Sequence, residues 1–96
     1  MAELLQLIDT HTHPTMKDYT GNLTEVLARS RQAGVGQWVA IGTSLEDSAA
    51  GIELAREHAG LYCSVGIHPH NAQHQKSGYL NELQKLAGAD KVKAIG

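Results

Sequence analysis

The sequence predicts an α/β fold of alternating βα units with parallel strands, and three observations predict it. Short apolar runs alternate with longer amphipathic segments along the whole chain, at the pitch of right-handed βαβ units. The helical segments are punctuated by cap and stop residues: Asn22, Ser44 and Ser77 before them, Gly34 and Gly60 after the first two. The unusual polar clusters "DTHTH", "GTSLED" and "GIHPH" each follow a predicted strand. That is where parallel α/β folds place their active sites.

Leu4–Ile8 reads as a short buried strand, followed by a polar loop holding histidines and Pro14. Asn22 is placed as an N-cap, with Glu25 three residues on as in a capping box. Leu23, Val26, Leu27 and Ala33 keep helical spacing, and Gly34 is the stop. Trp38–Ile41 is the second strand. Ser44 caps a second helix, with Asp47 at the third position and Ile52, Ala55 and Ala59 on its inner face; Gly60 ends it. Leu61–Ile67 is the third strand. "HPHNAQHQKSG" reads as a loop, Ser77 opens a third helix carrying Leu80, Leu83, Leu86 and Ala87, and Lys91–Ile95 starts a fourth strand.

Two architectures accommodate this order: a doubly wound open sheet and a (β/α)8 barrel. Between Ile8 and Asn22 the only glycine is Gly21, so no G-x-G-x-x-G phosphate cradle follows the first strand. This argues against a nucleotide-binding open sheet. A barrel takes about 250 residues, and this chain carries roughly three and a half of its eight units. The expectation is that residues 1–96 form a single partial domain, the N-terminal part of a larger fold.

The formal net charge of −2 is too small to steer the chain toward a polyanion, and no Lys/Arg block marks a basic patch. Any grip on nucleic acid must be local. No apolar run approaches the ~20 residues of a membrane span. No basic segment leads into an apolar one at the N-terminus, so no secretory signal is visible. Cys63 is the single cysteine and has no internal disulfide partner, which makes a cytoplasmic setting the expectation.

The chemistry concentrates in histidine. Strand side chains alternate, so Asp9, His11 and His13 project to one face if the first strand runs that far. An H-x-H pair at a strand end brings two ring nitrogens toward one divalent ion, with Asp9 placed to accept a ring N–H. The alternative is a solvated loop with two surface histidines. His68 and His70 repeat the spacing at a neighbouring strand end, on a loop stiffened by Pro69. That pair suits a phosphate oxygen, a positioned water or a metal; the alternative is a rigid loop in which the proline matters more. His58 near a helix C-terminus suits the helix dipole, and His74 lies in a polar loop. Cys63 inside a parallel strand reads as a small buried side chain, and Trp38 as core. Thr43, Ser44, Glu46 and Asp47 read as a helix cap and first-turn charges.

With these residues on the page, "IDTHTH", "GVGQWVAIGTSLEDS", "LYCSVGIHPHNA" and "KVKAIG" resemble, in order and spacing, the N-terminal part of the TatD family. These are metal-dependent hydrolases, commonly described as deoxyribonucleases, among the amidohydrolase-like barrels. The resemblance covers essentially the whole chain. H-x-H alone is shared with other amidohydrolases and phosphoesterases, whereas "VGIHPH" at this distance is much more specific. The resemblance implies the first three and a half units of a TIM-type (β/α)8 barrel. It implies that His11 and His13 are metal ligands and that His68 and His70 line the phosphate-binding side of the site. It gives Asp9 no direct ligand role. The implied cofactors are divalent ions, Mg, Mn or Zn, and the implied substrate is DNA. Pro14 stands where the family usually has an aliphatic residue. "KVKAIG" stops one residue short of the family's glutamate ligand, so catalytic residues are expected beyond residue 96 and the isolated chain is expected to turn over little substrate. Two other readings stay open: a different amidohydrolase, and a catalytically silent remnant that binds a partner or self-associates through an open sheet edge.

Overall fold

The computed structural model describes residues 6–96. Leu4 and Leu5, the start of the expected first strand, lie outside the described residues. The elements are β1 (Leu7–Thr12), a 3-10 turn (Lys17–Tyr19), α1 (Leu23–Gln32), β2 (Val35–Ile41), α2 (Leu45–Glu57), β3 (Leu61–Val65), α3 (Pro69–Ala72), α4 (Tyr79–Ala87) and β4 (Val92–Ile95).

The four strands form one parallel sheet in the order β1-β2-β3-β4. Sequential order without a reversal is the pattern of a barrel sector, because a doubly wound sheet must reverse direction at a switch point. The core bears this out. Leu23 and Leu27 of α1, Trp38 and Ala40 of β2, Ile52 and Ala55 of α2, and Leu61, Cys63 and Val65 of β3 form a single buried cluster, with Leu83 and Leu86 of α4 packed against it. One cluster shared by three helices puts those helices on one side of the sheet. The other side carries Val39, Ile41 and Tyr62, which stay half-buried.

Individual elements follow their residues closely. Asp47 N–H donates to Ser44 Oγ at 3.0 Å, the cap expected at α2. Gly60 adopts φ +83°, turning the chain from α2 into β3. Trp38 Nε1–H donates to Ser30 Oγ at 2.9 Å while the Arg31 guanidinium stacks 4.9 Å from the indole ring, so the largest core side chain keeps its polar edge satisfied.

Several boundaries differ from expectation. β1 runs on to Thr12 rather than ending at Ile8 and β2 starts at Val35 rather than Trp38, since parallel pairing from Leu7↔Val35 to Thr12↔Ala40 recruits polar residues that apolar runs do not mark; β1 is also exposed rather than buried, with Leu7 and Ile8 more than half accessible. β3 ends at Val65 rather than Ile67, where Gly66 passes so close to the backbone of Gly96 that a Cβ would meet its carbonyl oxygen at 3.0 Å. Asn22 occupies the N-cap position of α1 but its side chain makes no capping bond. α4 opens at Tyr79 behind Gly78, at φ +90°, rather than at Ser77. Part of the expected "HPHNAQHQKSG" loop is the short helix α3.

Candidate functional site

β1 brings His11 and His13 to the C-terminal rim of the sheet by a local irregularity. Asp9 pairs with Trp38 and Thr12 with Ala40, so three steps along β1 match two along β2. This is a β-bulge. Trp38 and Ala40 face the helices, and Asp9 and Thr12 face the same way, lining a cavity of about 190 Å3 with Leu27 and Trp38. The neighbour of Thr12, His11, therefore falls on the helix-free side. His13 lies just past the strand, and the two imidazoles stand edge to face with centroids 5.1 Å apart. The expected single face for Asp9, His11 and His13 is thus divided: the bulge separates Asp9 from the histidines. Asp9 Oδ1 accepts the main-chain N–H of His11 at 3.1 Å, rather than a ring N–H.

The second pair is built by α3. Pro69 sits in its first turn, where a missing N–H costs nothing. His68 is the N-cap, and its Nδ1 accepts the main-chain N–H of His70 at 3.0 Å. An imidazole accepting through Nδ1 carries its neutral-form proton on Nε2. His68 therefore presents an N–H donor outward. The His68 and His70 rings are 4.6 Å apart and both are exposed.

β2 stands between the two pairs in the sheet, so the strand ends that carry them are not neighbours. The loop after β2 and the first turn of α2 connect them. The Asp47 carboxylate accepts from Thr15 Oγ1, from Thr43 N–H at 2.9 Å and from Thr43 Oγ1 at 3.0 Å. Thr43 carbonyl oxygen in turn accepts from His68 N–H at 2.8 Å and from Asn71 Nδ2 at 2.8 Å. Next along α2, the fully buried Ser48 accepts the Gly66 N–H at 3.2 Å. Gly42 leaves the room for it: a Cβ there would lie 2.1 Å from Ser48 Oγ. Sequence reasoning had Asp47 as a first-turn charge and did not single out Ser48 or Asn71. The available signal was a small polar residue on the inward stripe of α2, four residues after its cap.

The remaining candidates sit where the structural readings put them. His58 is the half-buried C-cap of α2, His74 is exposed, and Cys63 is fully buried, with burial raising its thiol pKa.

Two nitrogens bound to one ion at about 2.0–2.1 Å each lie no more than about 4.2 Å apart, a spacing that rings at the His11–His13 distance can reach. They supply two donors. Among the described residues no group of three or more His, Cys, Asp or Glu is placed to hold a metal. His68 Nδ1 is already engaged. The described residues thus fit part of a metal site and not a whole one.

Similarity to known proteins gives the family. The family model for TatD related DNase matches residues 8–96. The 3'-5' ssDNA/RNA exonuclease TatD of Cronobacter sakazakii is 34% identical over 90 residues, which are 94% of this chain and 34% of that protein. The uncharacterized metal-dependent hydrolase YjjV of Escherichia coli is 32% identical over 92 residues, 96% of this chain and 36% of that protein. The crystal structure of YjjV, a TatD homologue, superposes with a TM-score of 0.85 at 33% identity, covering 94% of this chain and 36% of that one. The chain spans about a third of the length of the curated relatives it matches. On the match of the family model over residues 8–96 and the likeness of the fold to that of YjjV, the chain belongs to the TatD related DNase family.

Proposed function

We propose that the chain supplies the first part of a metal-dependent hydrolase site that cleaves phosphate esters of nucleic acid. His11 and His13 contribute nitrogens to a divalent ion. His68, through Nε2–H, and His70 contact a phosphate oxygen. The observation that carries this reading is the joining of both pairs on one rim of the sheet, one pair whose ring nitrogens take no hydrogen bond among the described residues and the other fixed by its cap to offer a donor. An ion held in an open catalytic geometry would polarise the ester and lower the pKa of bound water. Such a site needs three or four protein ligands, and in this reading the others come from later strands of a closed barrel. The 96 residues alone then bind metal weakly and turn over little substrate.

The test is a pair of titrations on the 15N-labelled chain, following the imidazole 1H–15N signals. Mn2+ is expected to broaden His11 and His13 first, and His11→Ala to weaken that response. Inorganic phosphate, and then a short single-stranded oligodeoxynucleotide, is expected to shift His68 and His70. Histidine signals indifferent to all three ligands would overturn the proposal, as would nuclease turnover by this chain at the rate of a full-length relative.

A further inference from the structure

We propose that Asp47 is a positioning residue that fixes the two histidine pairs relative to each other. Its use rests on the function proposed above; its geometry does not. One carboxylate oxygen takes the Thr15 hydroxyl, two residues beyond His13. The other takes both the main-chain N–H and the hydroxyl of Thr43. The Thr43 carbonyl then holds the His68 N–H and the Asn71 side chain, on either side of His70. Three loops that lie far apart in sequence are thereby joined through one side chain and the main chain of one residue.

The carboxylate is well suited to this. It accepts three hydrogen bonds and donates none, so both threonine hydroxyls are oriented as donors toward it. Asp47 is itself anchored, because its own N–H is held by Ser44 Oγ in the first turn of α2. The following residue, Ser48, fastens Gly66 just ahead of Ile67 and His68. The first turn of α2 is thus a fixed point from which the loops after β1, β2 and β3 are all held. A shift of the Thr15 loop is passed through Asp47 and Thr43 to His68 rather than lost in solvent.

The experiment is a double-mutant cycle read on the imidazole 1H–15N signals of the 15N-labelled chain. Thr15→Val, remote from α3, is expected to shift His68 and His70. In an Asp47→Ala background the same substitution is expected to leave them unmoved. Asp47→Asn is expected to restore the response, since its amide oxygen can still accept from Thr43 and its amide nitrogen can donate to Thr15 Oγ1. Ser44→Ala, which removes the α2 cap without touching Thr15 or Thr43, is expected to keep the response and so excludes a general loosening of the helix. Should Asp47→Ala fail to fold, Asp47→Ser, too short to span both threonines, takes its place. Silence of His68 and His70 to Thr15→Val, or a response that survives loss of the carboxylate, would overturn the proposal. Failure of the unsubstituted chain to respond to Mn2+ and phosphate would instead remove the proposed function and leave this coupling readable.

Discussion

Gly42→Ala tests how tightly the rim of the sheet is held. A Cβ at this position would lie 2.1 Å from Ser48 Oγ, 3.0 Å from Ser48 Cβ and 2.9 Å from the Ser64 carbonyl oxygen. Two of these three atoms belong to one side chain that is fully buried, and the third to the backbone of β3, so none retreats easily. Overpacking of this kind costs about 1–3 kcal/mol. Ser48 must also move, and its Oγ then gives up the Gly66 N–H, a buried donor whose abandonment costs a further ~1–3 kcal/mol. The sum, about 2–6 kcal/mol, is a large share of the ~5–15 kcal/mol that stabilises a typical domain. At ~4–8 °C per kcal/mol for a chain of this size, the thermal midpoint should fall by about 10–50 °C. Urea and thermal unfolding followed by circular dichroism read this directly. Ser48→Ala alone should cost only the hydrogen bond. The double variant Gly42→Ala/Ser48→Gly should recover part of the loss, but not all, because the Ser64 carbonyl remains in the way. A single-variant loss below about 1 kcal/mol, or no recovery in the double variant, would refute the reasoning.

Two further outcomes follow from the core. Burial pushes the Cys63 thiol above its ordinary pKa, against the opposing charges of Lys91 and Arg56. The folded state then holds the proton more tightly than the unfolded one, so stability is level below the unfolded thiol's pKa and falls as pH rises past it; Cys63→Ala should remove that part of the decline in urea midpoints measured between about pH 7 and 10. Trp38→Phe loses the indole donor to Ser30 and the ring edge beneath Arg31, and should cost about 1–3 kcal/mol in urea unfolding. Adding Ser30→Ala should cost little more, since both changes remove one bond.

The fold was legible because its signals are local and repeated. The inner stripe of α2 at Ile52 and Ala55, the Ser44 cap and the Gly60 turn are each set by neighbours in sequence, and each lies where the pattern puts it; Ala59, expected on the same stripe, lies past the end of α2 and is exposed. The family was legible for a related reason: "VGIHPH" holds its unusual residues in one stretch. What the sequence concealed depends on pairing across the chain. The bulge in β1 arises from register with β2, and alternation alone put Asp9 on the wrong face. The role of Asp47 depends on Thr15, 32 residues away, and no local rule connects them. The cap at α3 was hidden because histidine is not a usual N-cap residue, although Pro69 directly after it is a common first helical residue.

The bulge changes the frame of β1 just ahead of its histidines. Ahead of it Asp9 faces the helices, and after it His11 turns away from them. Because the slip is one residue in excess between Asp9 and Thr12, deleting Thr10 would restore plain alternation with β2 and still leave His11 beside Thr12 on the helix-free side. The aim of His11 is therefore set by its place beside Thr12, and not by its count from Asp9.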